Sequence, residues 1–476
     1  MRFVGRATQV ASLTTLLGDV ASSGAGRMLI VRGRRQVGKS RLFSEFIGRA
    51  RCDHVYFTAV KAATVSAQLE AFRREVHESA PSLPNAGDLF ASNPASWADV
   101  FGRLRLAAQS GPIVVVLDEF PWATAADPSL EGELQVAWDR YLQHLPVLLV
   151  LISSDLAMME RIVEHDRPLF GRGQEMVIAP FNPAEVRAAL GNPSAMTVFD
   201  AYLVTGGYPK LVDELDRAGS VERYLTGGLS DENSNLVVVG QRSIAAEFPS
   251  QAQAWRVLSA IGGHEVGHAT FSNTVDRLGE GNAGGTALSR ALQILVDDKR
   301  VVAIDTPAGR DASARLRRYR VADPYLRFWL RFIEPQLANL ARGRSDLAMA
   351  ATQLSWSTWR GVAIEPIVRD AITRLAPTIP TLADIATTDA WWDRANSHEI
   401  DVVGSNSKNQ VIAIGLIKWR ERRQFSVEEL DELAVNRAVV PGAGGARLIA
   451  VCPAGVRSRA DPDVTLDADA LLSAWT

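Results

Sequence analysis

Cysteine is almost absent: Cys52 and Cys452 are the only two in 476 residues. Two thiols so far apart in the chain supply neither a disulfide framework nor a cysteine-rich zinc site. They fit a reducing compartment, so a cytoplasmic location is expected. Long apolar runs are also lacking. The longest, Val147 to Ile152, is far too short to span a bilayer, which takes about 20 residues, and the opening Met-Arg-Phe-Val-Gly-Arg has no apolar leader core. Neither charge dominates, since 51 Lys and Arg against 54 Asp and Glu leave a formal net charge of −3. A global basic field is therefore excluded, and any nucleic-acid contact must come from a local patch. What is abundant is apolar material, at 47% of the chain, enough for several cores and about three or four domains.

The most informative segment is Arg27-Met-Leu-Ile-Val-Arg-Gly33-Arg34-Arg35-Gln36-Val37-Gly38-Lys39-Ser40-Arg41. Met28 to Val31 suits a buried parallel strand, and Leu42, Phe43, Phe46 and Ile47 recur at helical spacing behind it. Between them, Gly33 to Ser40 fits G-x-x-x-x-G-K-[ST]. In such a loop the backbone N–H groups wrap phosphates, Lys39 reaches the β and γ oxygens, and Ser40 ligates Mg²⁺. The helix that follows adds its positive N-terminal end. The cofactors expected are thus a nucleotide and Mg²⁺, with Gly33 to Arg41 as the binding segment.

A partner motif is expected on a neighbouring strand. Ile113-Val-Val-Val-Leu-Asp118-Glu119 supplies five apolar residues ending in two acids, the Walker B pattern. Asp118 would hold the Mg²⁺ shell, and Glu119 would orient or deprotonate the attacking water. Leu148 to Ser154 reads as a third buried strand ending in hydroxyls, which makes Ser153 and Ser154 γ-phosphate sensor candidates. Arg172, in a loop before Met176 to Ile178, is a candidate guanidinium for a γ-phosphate in cis or in a neighbouring subunit, or else a plain surface arginine.

Strand-like runs alternate with helices up to about Pro180, the pattern of a parallel sheet covered on both faces. Phe181-Asn-Pro-Ala-Glu then opens a helical stretch, a lid, interrupted at Thr205-Gly-Gly-Tyr-Pro-Lys210. The order helix, helix, helix, strand, turn, strand over 254–321 resembles a winged helix. Ser289, Arg290, Gln293 and Arg300 would lie on or near the polar side of its recognition helix, and Arg310, Arg315, Arg317 and Arg318 on its wing, poised for phosphates. The alternative use of such a module is packing against other domains. His264-Glu-Val-Gly-His268 matches the zinc pattern H-E-x-x-H, but Gly262, Gly263 and Gly267 disfavour the continuous helix that site requires.

Toward the C-terminus, a helix carrying Glu365 precedes His398-Glu399-Ile-Asp401 and then Val411 to Trp419, a layout resembling a restriction-endonuclease-like core. Glu365 would be the helix acid, Asp401 the first-strand acid and Lys418 the lysine. Where the acid of acid-x-Lys is expected stands Leu416, and Glu399, two residues from Asp401 on the same strand face, is the available substitute. Two outcomes are open: an active nuclease, or a degenerate one used for binding or scaffolding.

Taken together the chain resembles the prokaryotic, archaeal-type P-loop ATPases of the AAA+/STAND-like group that carry a winged helix and a nuclease-like C-terminal domain. The carrying residues are Phe3-Val-Gly-Arg6, the Walker pair, Pro168-Leu-Phe-Gly-Arg172, Gly206-Gly-Tyr-Pro209, Tyr319 to Trp329, and the Asp401/Lys418 region. The resemblance implies ATP rather than GTP as the nucleotide, ATPase activity, DNA-related or defence work, and Val4, Gly5 and Arg6 beside the adenine. The expected fold is α/β: a P-loop NTPase parallel sheet (1–180) with a helical lid (181–245), then a winged helix (246–335) and a restriction-endonuclease-like α/β domain (336–476). Two functional readings are carried forward, an ATP-driven switch or motor acting on or near DNA, and a nucleotide-switched scaffold for protein partners or further copies of itself.

Overall fold

The computed structural model describes all residues except 1–2, 155, 163, 248–251, 264–267, 280–283 and 310–315. The chain divides into two compact units, Met1–Pro180 and Phe181–Thr476.

The first unit is built on five strands, β1 (Arg27–Arg32), β2 (Asp53–Thr58), β3 (Ile113–Asp118), β4 (Val147–Ser153) and β5 (Gln174–Val177). They are all parallel and ordered β2-β3-β4-β1-β5. Every residue of β3 and β4 is buried, as a central parallel strand covered on both faces requires. On one face Met28, Ile30, Val55, Phe57, Val115 and Leu149 join a cluster with helices Val65–Glu78 and Trp97–Ala108. Phe57, Phe72 and Trp97 pack ring against ring within it, Phe72 and Trp97 edge to face, and each such buried ring contributes roughly 1.5–3 kcal/mol.

The strand order corrects one expectation. β3 does not neighbour β1; β4 lies between them. An apolar run shows that a strand is central but not which strands flank it. The consequence is functional, because the end of β4, with Ser153 and Ser154, is inserted between the P-loop and the Walker B acids.

The second unit begins with helices. Asn182 and Glu185 form a reciprocal capping box at the start of Pro183–Ala189, so the Asn-Pro-x-Glu signal reads correctly. Helix Ala195–Thr205 ends at Gly206 (φ +59°) and Pro209 starts the next helix. At Gly207 (φ +71°) a Cβ would lie 2.0 Å from the carbonyl oxygen of Phe181, so only glycine fits this corner. Tyr208 Oη donates to Asp323 Oδ2 at 2.7 Å, and Asp323 Oδ1 caps helix Pro324–Phe328 through the Leu326 N–H. The Gly-Gly-Tyr-Pro and Asp-Pro-Tyr motifs, more than a hundred residues apart, are thus two halves of one contact.

Residues 252–321 form helices Ala252–Gly262, Phe271–Leu278 and Gly284–Gln293 with β6 (Ala269–Thr270), β7 (Val302–Asp305) and β8 (Arg318–Val321) in an antiparallel sheet ordered β6-β8-β7. The two-residue β6 was not foreseen; it is too short to leave a periodicity. The third helix is α-helical only to Gln293 and continues as one wider π-type stretch, Ile294–Asp298. The 31-residue helix Ser345–Leu375 then leads into β9 (Thr387–Trp392), β10 (Glu399–Ser405), β11 (Val411–Ile417), β12 (Arg447–Val451) and β13 (Val464–Leu466), a mixed sheet in sequential order. Among the described residues no helix is long and apolar enough to cross a membrane.

Candidate functional site

The P-loop turns out of β1 with Gly33 packed where a Cβ would lie 2.4 Å from the Ile178 carbonyl. Gln36 and Gly38 adopt left-handed backbone (φ +65° and +89°), which folds the loop tightly over the start of helix Lys39–Ala50. Lys39 is buried, and its Nζ donates to the carbonyls of Gly33 (2.6 Å) and Arg34 (3.0 Å). Burial pulls its pKa down to about 8; Glu119 and Asp118 oppose that shift and Arg35 adds to it. Arg35 and Arg41 are exposed, whereas Val37 is buried. Arg6, assigned to the adenine by resemblance, holds the loop from behind. Its buried guanidinium donates to Val37 O at 2.9 Å and Ala179 O at 2.6 Å.

Asp118 closes β3 and accepts three hydrogen bonds. Ser40 Oγ (3.2 Å) and Tyr56 Oη (2.8 Å) donate to Oδ2, and the Glu119 N–H (2.9 Å) donates to Oδ1. A hydroxyl and a carboxylate oxygen brought together in this way are hard-cation ligands, so Ser40 and Asp118 fit Mg²⁺. Glu119 sits at φ +54° as the cap of helix Phe120–Ala126, a conformation disfavoured for a side chain of this kind and held only where the surroundings fix it. Its Oε1 accepts from Ser154 Oγ at 2.5 Å.

Residues 2–150 match the model described as an AAA ATPase domain, and residues 329–430 match one described as archaeal and bacterial proteins of unknown function. The chain carries an AAA ATPase domain. An uncharacterized protein of Methanocaldococcus jannaschii is 20% identical over 430 residues, 90% of each chain. Among solved structures, the Walker-type ATPase of Pyrococcus abyssi aligns with TM-score 0.49 and 16% identity over 69% of this chain and 96% of that one. The ORC2 protein of Aeropyrum pernix aligns with TM-score 0.46 and 13% identity over 74% and 95%.

Within the first unit two sequence assignments move. Ser153 is wholly buried at the end of β4, paired in register with Arg32, and it is Ser154 that touches Glu119. Strand alternation separates them: of two adjacent hydroxyls only one can face the acid. Arg172 does not lie by the P-loop. It forms a bidentate pair with Asp139 (2.8 and 2.9 Å), donates to the Pro168 carbonyl, and shares a depression with Gly26, Arg27 and Met28 at the entry of β1, whereas the P-loop follows the exit of that strand. In this fold Arg172 therefore stands at the opposite end of β1 from the P-loop. Tyr56 escaped the sequence reading because a tyrosine inside Asp53–Thr58 looks like ordinary strand; its half-buried place between buried Val55 and Phe57 is the alternation that could have flagged it.

In the second unit, His264 to Gly267 lie outside the described residues, while His268 Nε2 faces Glu399 Oε1 at 3.0 Å. Arg310 and Arg315 are likewise outside them. Arg318, expected on a solvated wing, is buried. Its Nη1 meets Glu399 Oε1 at 2.5 Å and its guanidinium stacks 4.0 Å from the Trp392 ring centroid. Burial raises the Glu399 carboxyl, but hydrogen bonds from His268 and Arg318 outweigh it and bring the pKa down to about 2. Ser289, Gln293 and Arg317 line a groove of about 750 Å³ together with Leu292, Val296, Ile304 and Tyr319. Arg290 and Arg300 are exposed, as is Lys210 in the earlier corner.

Glu365, Glu399, Asp401 and Lys418 do come together electrically. Burial, then Asp401, pushes the Glu365 carboxyl up to about 8 against the pull of Arg369, and burial also raises Asp401, against the Ile417 N–H and Lys418.

Proposed function

We propose that this protein is an ATP-binding and ATP-hydrolysing switch that works on or near DNA. The observation that carries the hydrolytic part is the convergence of Lys39, Ser40, Asp118 and Glu119, delivered by two separate segments. The loop N–H groups and Lys39 would hold the phosphates, and Ser40 and Asp118 would hold Mg²⁺, which when bound neutralises charge on the transferring phosphoryl group. Tyr56 fixes Asp118. Ser154 fixes Glu119, which orients the attacking water. Lys39→Ala is expected to lose ATP binding in a calorimetric titration; wild-type affinity in that variant would contradict the assignment.

The DNA part rests on the order and sheet of residues 252–321, which fit a winged helix, and on exposed Ser289 and Arg290 of helix Gly284–Gln293. Arg318 is removed from that reading and Arg317 retained. Duplex binding that weakens with salt and is lost in Arg290→Ala/Arg317→Ala supports it. One feature favours the second reading, a scaffold for protein partners: the groove beside that helix is lined by the apolar Leu292, Val296 and Ile304 and by Tyr319, with Asp297 and Arg317 also on its wall. ATP turnover indifferent to DNA would decide for the scaffold.

A further inference from the structure

The sequence layout makes Glu365, Glu399 and Asp401 candidate metal ligands, and their partners in the fold test that. A divalent cation needs several carboxylate oxygens free to turn toward it. Here all three acids already face a cation or an N–H donor on at least one oxygen. Glu399 holds Arg318 at 2.5 Å and His268 at 3.0 Å. Asp401 Oδ2 accepts the Ile417 N–H at 2.7 Å. Arg369 Nη1 donates to the main-chain carbonyl of Asp401 at 2.8 Å, and the same nitrogen stands 3.6 Å from Glu365 Oε2. The position where a further acid is expected is Leu416, buried in a cluster with Trp391, Phe425 and Leu433. Among the described residues no group of three or more His, Cys, Asp and Glu side chains is arranged to hold a metal. The metal that a nuclease layout implies does not fit these residues.

We infer that Arg369 and Arg318 stand in for a divalent cation: Arg318, paired with Glu399, is a seam fastening the β7–β8 hairpin to the β9–β10 edge of the C-terminal sheet, and Arg369 ties the helix bearing Glu365 to β10. The two guanidiniums answer different acids. Arg369 lies on the helix that carries Glu365, one turn on, and bridges it to β10. Arg318 lies on β8 and crosses to Glu399 at the start of β10, while Asn396 in the β9–β10 connection accepts from its Nη2 at 3.1 Å and Trp392 at the end of β9 covers its face. Two neutral hydrogen bonds close the same junction, from Trp392 Nε1 to Leu316 O (3.2 Å) and from Ala308 N to Ala390 O (2.9 Å). A buried charge deprived of its partner is strongly unfavourable, so removing a guanidinium leaves carboxylates that must find another cation or destabilise the junction. That consequence separates a seam from a metal site.

The test uses the full chain without nucleotide, unfolded thermally in EDTA and in millimolar Mn²⁺, beside a calorimetric Mn²⁺ titration. The wild-type midpoint is expected to be the same in both, with no saturable Mn²⁺ heat assignable to Asp401. Arg369→Gln is expected to unfold several degrees earlier in EDTA and to recover part of the loss in Mn²⁺, because the freed carboxylates now accept the ion. A wild-type midpoint that rises with Mn²⁺, and no longer does so in Asp401→Asn, would overturn the inference. So would Arg369→Gln that folds and stays indifferent to metal. If Arg369→Gln does not fold, the wild-type titration against Asp401→Asn decides alone.

Discussion

Arg6 offers the sharpest quantitative prediction. Its guanidinium is 4% exposed and donates to two main-chain carbonyls, Val37 O inside the P-loop and Ala179 O at the end of the first unit. Hydrogen bonds from a charged donor are worth about 1.5–3 kcal/mol each, and buried carbonyls left without donors lose that much. Arg6→Ala should therefore destabilise the first unit by about 3–5 kcal/mol. Arg6 also sits at φ +62°, a strain that Ala retains and Gly relieves by about 1 kcal/mol. Arg6→Gly should consequently be the milder of the two, and Arg6→Lys, whose compact ammonium replaces a planar fork, should fall between wild type and both. Because one lost bond tethers Val37, ATP affinity should drop at least about tenfold in Arg6→Ala, equivalent to about 1.4 kcal/mol. Denaturant unfolding followed by intrinsic fluorescence measures the first quantity and isothermal titration with ATP the second. Arg6→Ala that unfolds at the wild-type midpoint and binds ATP normally would refute the clamp.

Two further outcomes follow from the same geometry. Lys39 has a folded pKa of about 8 against 10.5 in the free side chain, so between these values the unfolded chain binds more protons, and ligand-free stability rises with pH across that window. Phosphate oxygens favour the ammonium, so ATP binding at pH 8 should take up roughly half a proton and affinity should fall as pH passes about 8; binding enthalpies that do not depend on buffer ionisation would contradict this. Gly207→Ala, which forces a Cβ to 2.0 Å from the Phe181 carbonyl at φ +71°, should destabilise the second unit by more than about 3 kcal/mol, and a variant that melts with wild type would show the corner is less tight than described.

Much of this was legible in the chain. A strand–loop–helix with G-x-x-x-x-G-K-S and an apolar run ending in two acids are local patterns whose chemistry depends on adjacent residues, so Lys39, Ser40, Asp118 and Glu119 could be named before any coordinates. The helix start at Asn182-Pro183 and the interruption at Gly206-Gly207 were legible for the same reason. What could not be read is partnership across long separations. Nothing near Tyr56 says that its hydroxyl meets Asp118, nothing near Arg6 says that it holds Val37, and Arg172 could not be placed at the entry of β1 without the sheet order. Arg318 shows the same limit from the other side: in the sequence it belongs to a run of arginines fit for phosphates, yet in the fold it is taken by Glu399 and Trp392. Local pattern announces the chemistry, while tertiary contact decides which of several similar side chains performs it.

The central claim is that the AAA ATPase domain hydrolyses ATP with Glu119 directing the water. The most direct test is ATP turnover in Mg²⁺ by wild type and Glu119→Gln, with nucleotide binding measured on the same preparations. The account predicts turnover in wild type and, in Glu119→Gln, retained ATP binding with turnover reduced by about a hundredfold or more. Equal turnover in the two proteins would contradict it.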